Sequence, residues 1–119
     1  MTKSEGSKKY DLEERTFQFT LRVIRFCKKL PRTIGNIEYV KQGIRSSGSV
    51  GANYIEANEA LGKKDFLMRI RICRKEAKES GYWLRLLIET NEDKFREEGV
   101  ALVDELIELK KIFSAIIKV

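Results

Sequence analysis

Between Lys63 and Thr90 an apolar or small residue returns at every third or fourth step: Phe66, Ile70, Cys73, Ala77, Ser80 or Gly81, Leu84 and Leu87. That rhythm lays one side of a long α-helix against a neighbour in the manner of a coiled-coil seam. No stretch keeps for long the two-residue alternation of a half-buried strand. The chain has one proline, Pro31. It cannot continue a helical hydrogen-bond ladder and disfavours helical geometry at Leu30, so it separates one helix from the next.

The remaining elements follow from the same period. Asp11 can cap a first helix over about residues 12–30, with Glu14 completing a capping box. Phe17, Leu21, Ile24 and then Cys27 or Lys28 mark its first row, and Phe19, Val23, Phe26 and Leu30 widen it. Asn36 can cap a second helix that carries Ile37, Val40, Ile44, Val50, Tyr54, Ile55 and Leu61 and stops at Gly62. The third helix spans 63–90, and 91–94 form a turn. The last helix runs over about 95–118, with Val100, Val103, Leu106 or Ile107, Lys110, Phe113 and Ile117 as its main row; Leu102, Leu109, Ile112 and Ile116 widen it. Four long helices with short joints predict an all-α, antiparallel up-down-up-down four-helix bundle over 11–119, preceded by a flexible segment, 1–10. With 119 residues the core is modest, and long apolar faces favour burial against another subunit.

The chain has no histidine, so the commonest neutral-pH base is absent. Glu56 with Glu59, and Glu76 with Glu79, have helical spacing but no histidine beside them, so salt bridges suit them better than a metal site. Cys27 and Cys73 lack metal-ligand spacing and read as buried small hydrophobes. The piece GSVG lacks the GxxxxGK[ST] pattern and no strand precedes it. The expectation is a non-enzymatic protein with no cofactor and no metal. No signal-peptide core or membrane-length run is present, which predicts a cytoplasmic chain with no membrane contact.

Charge is the stronger lead. The net charge is +6. It concentrates in Arg22, Arg25, Lys28, Lys29, Arg32, Lys41 and Arg45, and again in residues 63–79, whereas 80–119 lean acidic. Arg15, Arg22, Arg25 and Lys29 can share one face of the first helix, and Arg71, Arg74, Lys75 and Lys78 one face of the third. Such rows suit a phosphate backbone, RNA or DNA; they equally suit an acidic protein partner. Aromatics do not alternate with these bases, which argues against stacking on single-stranded bases. Of the adjacent Tyr82 and Trp83, one can fill the bundle while the other reaches an interface.

The stretch RSSGSVGANYIEA, residues 45–57, combines small residues with helical spacing. Glycine inside a helix costs about 1 kcal/mol relative to alanine, so Gly48 and Gly51 are expected to admit a closely packed neighbour. Together with FxxxLxVIxFCKKLP at 17–31 and DFLMRIRICRKEAKESGYWLRLL at 65–87, this stretch resembles the 23S rRNA intervening-sequence protein family, also called S23-type. The resemblance implies an antiparallel four-helix bundle without catalytic residues. It also points to the accessory protein of diversity-generating retroelements, a homopentamer with a basic surface that contacts nucleic acid. A homopentameric scaffold or adaptor follows as the expectation. Arg22, Arg25, Lys29, Arg45, Arg71, Arg74 and Lys78 would be its sequence-nonspecific phosphate contacts, and a protein-interaction module for an acidic partner is the alternative. Asn53, Glu56 and Glu76 are expected to form a polar network between helices that fixes their registry.

Overall fold

A computed structural model describes residues 3–118, with side chains from residue 12 onward. The helices are α1 (Lys3–Lys29), α2 (Ile34–Asn58), α3 (Lys63–Thr90) and α4 (Arg96–Lys118), with one 3-10 turn at Asp93–Phe95. The segment expected to be flexible lies outside the described side chains, as does Asp11. The helical backbone begins at Lys3, ahead of the expected cap.

Two other ends differ from expectation. Thr33, not Asn36, caps α2: its hydroxyl accepts the Asn36 backbone N–H at 3.1 Å. Asn36 sits inside the helix. Its amide donates to the Pro31 carbonyl and to Asn91 Oδ1, both at 2.8 Å, and the Asn91 amide donates back to Asn36 Oδ1 at 2.8 Å. This reciprocal clamp ties the start of α2 to the end of α3 and holds the pair antiparallel. Gly62 does not stop α2, which ends at Asn58; it is the extended residue that caps α3.

Each helix packs on the two beside it in the ring α1–α2–α3–α4, leaving α1 diagonal to α3. Buried apolar residues from all four helices form one cluster, which includes Phe19, Val23 and Phe26 of α1, Val50 of α2, Leu84 of α3 and Phe113 of α4. The seam expected on α3 is the one buried. On α1 the order of the two rows is largely reversed: Phe19, Val23, Phe26 and Leu30 fill the core, while of the first row Cys27 alone is buried, Phe17 stays exposed and Leu21 and Ile24 are half-buried. On α4, Leu102, Leu106, Leu109 and Phe113 are buried, and Val100 and Ile107 face outward.

The small-residue stretch of α2 divides among three directions. Ser46 meets Ser80 of α3 at 2.9 Å, hydroxyl to hydroxyl. Ser47 turns toward α1, where Thr20 Oγ1 donates to its carbonyl at 3.1 Å. A Cβ on Gly51 would stand 3.0 Å from Thr16 Oγ1, so this glycine lets α1 approach. Gly48 does not have the packing role expected of it within the chain, because a Cβ there would meet nothing within 4 Å. The tightest glycine went unnoticed in the sequence: at Gly99 a Cβ would lie 2.5 Å from Ile88 Cγ1 and 3.2 Å from Phe26 Cζ.

Candidate nucleic-acid interface

The basic residues singled out from sequence do not form one surface. Arg22, Arg25 and Lys29 are exposed on α1, whereas Arg71, Arg74 and Lys78 belong to α3 on the opposite corner of the ring. Three of the seven are also engaged locally. Lys29 Nζ pairs with Glu98 at 2.8 Å. Arg45 lies between Glu76 and Glu79, 4.0 Å from each. Arg74 turns toward α4 and donates to Ser114 Oγ at 3.2 Å.

Of the four that remain, Arg22 and Arg25 lie on α1, and Arg71 and Lys78 belong to a straight row on α3. Lys64, Arg71, Lys78 and Arg85 recur every seven residues, and Met68, Lys75, Tyr82 and Glu89 recur beside them at the same interval. All eight are exposed. Seven residues are nearly two full helical turns, so both rows stay on the outward side and each step advances about 10.5 Å. From Lys64 to Arg85 the row extends about 31 Å. Lys64, Arg71, Lys75 and Lys78 have no hydrogen bond or ion pair among the described residues, so their charges are open to solvent and to a partner. The first acid on the row is Glu89. The sequence reading places Lys75 on this face without counting it among the phosphate contacts and does not include Lys64 or Arg85; the seven-residue recurrence is the signal that joins all three.

Tyr82 alters one expectation. It stands within the basic row between Lys78 and Arg85, 57% exposed. Trp83 beside it is half-buried and stacks on Tyr39 of α2, ring centres 5.7 Å apart, with Tyr82 edge-on to it at 5.0 Å. The two neighbours therefore serve different surfaces. One exposed aromatic breaks the strict separation of bases and rings, but a single ring is too little for a stacking platform.

The expected network of Asn53, Glu56 and Glu76 is not joined. The Asn53 amide donates to Ser49 O and Oγ, and its Oδ1 accepts from Arg69 of α3 at 3.1 Å. Arg69, missed in the sequence, is thus the partner that ties Asn53 across the seam. Glu56 is exposed. Glu76 is 8% exposed, and its Oε1 has no hydrogen-bond partner among the described residues. Three residues at related helical angles failed to meet because α3 brings an arginine to Asn53, while Glu56 points off the seam.

Burial pushes the Cys27 thiol up to about 11 and the Cys73 thiol to about 12. Cys73 Sγ also donates to the Val50 carbonyl at 3.4 Å. Such thiols are protonated and inert near neutral pH. Among the described residues no group of three or more His, Cys, Asp or Glu could hold a metal ion, and no helix is long and apolar enough to cross a membrane.

Four packed helices with an outward basic row on α3 define a small all-helical bundle. The chain belongs to the 23S rRNA-intervening sequence protein family, whose model matches residues 8–115. It is similar to a crystallised protein of unknown function from the S23 ribosomal protein family of Bacteroides thetaiotaomicron VPI-5482. The two share 32% identity over 91% of this chain and 99% of that one, with a TM-score of 0.79. No curated protein matches the chain.

Proposed function

We propose that the chain is a non-enzymatic, homo-oligomeric scaffold or adaptor whose α3 face contacts nucleic-acid backbone without reading bases. The observation that carries this reading is the exposed row Lys64–Arg71–Lys78–Arg85 with Lys75 beside it on one helix, with the acids Asp65 and Glu89 at its two ends. Point charges on a straight helix neutralise phosphates and release counterions whatever the sequence. The family resemblance supports a nucleic-acid setting and implies a pentamer.

Salt titration of binding to random-sequence duplex DNA and RNA tests it. If all five bases reach duplex phosphates, log K against log salt has a slope of about −4.5. Affinity then falls about five-hundredfold between 50 and 200 mM salt. Binding that ignores salt, or none at 50 mM, refutes the reading. Binding to polyglutamate but not to duplex would favour the acidic-partner alternative.

A further inference from the structure

Four of the nine exposed large apolar side chains, Phe17, Ile34, Ile37 and Ile55, belong to α1 and α2. Between these helices runs an open groove of about 250 Å³ lined by Phe17, Thr20, Gly48 and Ile55. Gly48 has no intramolecular reason to be small, since nothing lies within 4 Å of where its Cβ would be. Two more of the nine, Val100 and Ile107, stand on the outward side of α4, at 40% and 39% exposure. They alternate with charges in one exposed row: Glu97, Val100, Asp104, Ile107, Lys111 and Lys118. The first half of that row is acidic and the second half basic.

The groove carries the opposite order of charge. Lys28 and Lys41 stand exposed at one end, Glu14 and Glu59 at the other. Heights on α2 and α4 can be matched, because the two helices run in the same direction and Tyr54 meets Phe113 across the core, ring centres 6.4 Å apart. Equal steps from that pair, along helices of equal rise, put Gly48 level with Ile107, Lys41 with Val100 and Glu59 with Lys118. We infer that the groove between α1 and α2 seats α4 of a second copy of the chain, with Ile107 presented to the notch at Gly48. Rotation about a direction parallel to the helices keeps every height and every direction. Glu97 and Asp104, one turn to either side of Val100, then flank Lys41, and Lys118 comes to Glu59. The reverse polarity would set acid on acid. Groove and α4 row are different patches of one chain, so the contact is heterologous and repeats from copy to copy until a ring closes.

This inference rests on the homo-oligomeric part of the proposed function and is independent of its nucleic-acid part; a ring of five, as the resemblance implies, is built from this one contact. The test uses G48E and I107E in the whole chain, with helicity checked by circular dichroism. Light scattering of the unmodified protein should give a multiple of 13.8 kDa larger than twofold. Each variant lacks one of the two patches and should be a monomer. Mixed in equal amounts, each still offers the patch that the other needs, so a pair of twice 13.8 kDa should form and nothing larger. A second set changes charge alone. K28E/K41E should raise the protomer concentration needed for assembly at least about tenfold, and adding E97K/D104K to the same chain should restore it. An unmodified monomer overturns the inference together with the oligomeric reading. An unmodified dimer, a ring that persists in either single variant, a mixture that stays monomeric or rebuilds the ring, or a charge swap without recovery overturns the inference alone.

Discussion

Adding one methyl group at Gly99 tests how tightly α4 is seated. A Cβ there would lie 2.5 Å from Ile88 Cγ1, 2.9 Å from Ile88 Cδ1 and 3.2 Å from Phe26 Cζ. Ile88 is 4% exposed and Phe26 fully buried, so neither can swing into solvent. Relief requires an off-rotamer isoleucine or a displaced helix, and overpacking of this kind costs about 1–3 kcal/mol. Alanine gives back up to about 1 kcal/mol of helix propensity. Gly99→Ala should therefore destabilise by up to about 2 kcal/mol once the full propensity gain is subtracted. Gly81→Ala is the control. Its Cβ would meet only Leu106 Cδ1 at 3.8 Å, an ordinary contact. It should keep most of the propensity gain and stabilise by up to about 1 kcal/mol. The propensity gain is common to both, so the two variants separate by the overpacking cost, about 1–3 kcal/mol in urea denaturation read at a common m-value. At this chain length that is a difference of about 3–15 °C in Tm. Equal stability of the two variants would refute the account of how α4 is held.

Gly51→Leu should destabilise by about 1–3 kcal/mol in the same assay, because Thr16 stands 3.0 Å from the first added atom and is itself buried. The variant K64Q/R71Q/K78Q/R85Q should flatten the salt slope of duplex binding by about 3–4. R22Q/R25Q on the opposite corner should leave that slope unchanged, and equal effects would contradict a single α3 face. The buried thiols set an alkaline limit. Their folded pKa values are raised from the ordinary 9.0 to about 11 and about 12, so the unfolded chain releases these protons first. The stability they supply is complete below pH 9 and is lost as pH rises through 11 to 12. Urea midpoints should fall across that window, less steeply in C27S/C73S, and an unchanged slope in that variant would count against the thiols as the cause.

The helices were legible because period is a local property. α3 carries only one complete apolar row, and that row is the buried one. α1 carries two, Phe17–Leu21–Ile24 and Phe19–Val23–Phe26–Leu30, and local spacing ranks them equally. Only the positions of α2 and α4 decide between them: Thr16 must meet Gly51 and Thr20 must reach Ser47, which turns Phe17 outward. The basic site was half legible for a similar reason. Arg71 and Lys78 were recognisable on α3, but the ring order that separates them from Arg22 and Arg25 is a property of four helices together. Arg45, counted as a free base, is drawn between two acids one helix away, a partnership that spacing within α2 cannot show.

The α3 row and the groove between α1 and α2 are separate surfaces. α1 is diagonal to α3 in the ring, and α2 offers one side to each. The groove lined by Phe17 and Ile55 opens on the α1 side of α2, whereas Ser46, Asn53 and Tyr39 of α2 face α3. The basic row lies farther round, on the outward side of α3. Substitutions on the α3 row therefore leave the α1–α2 groove untouched, and substitutions in the groove leave the row untouched, so a loss of function on either face can be assigned to that face alone.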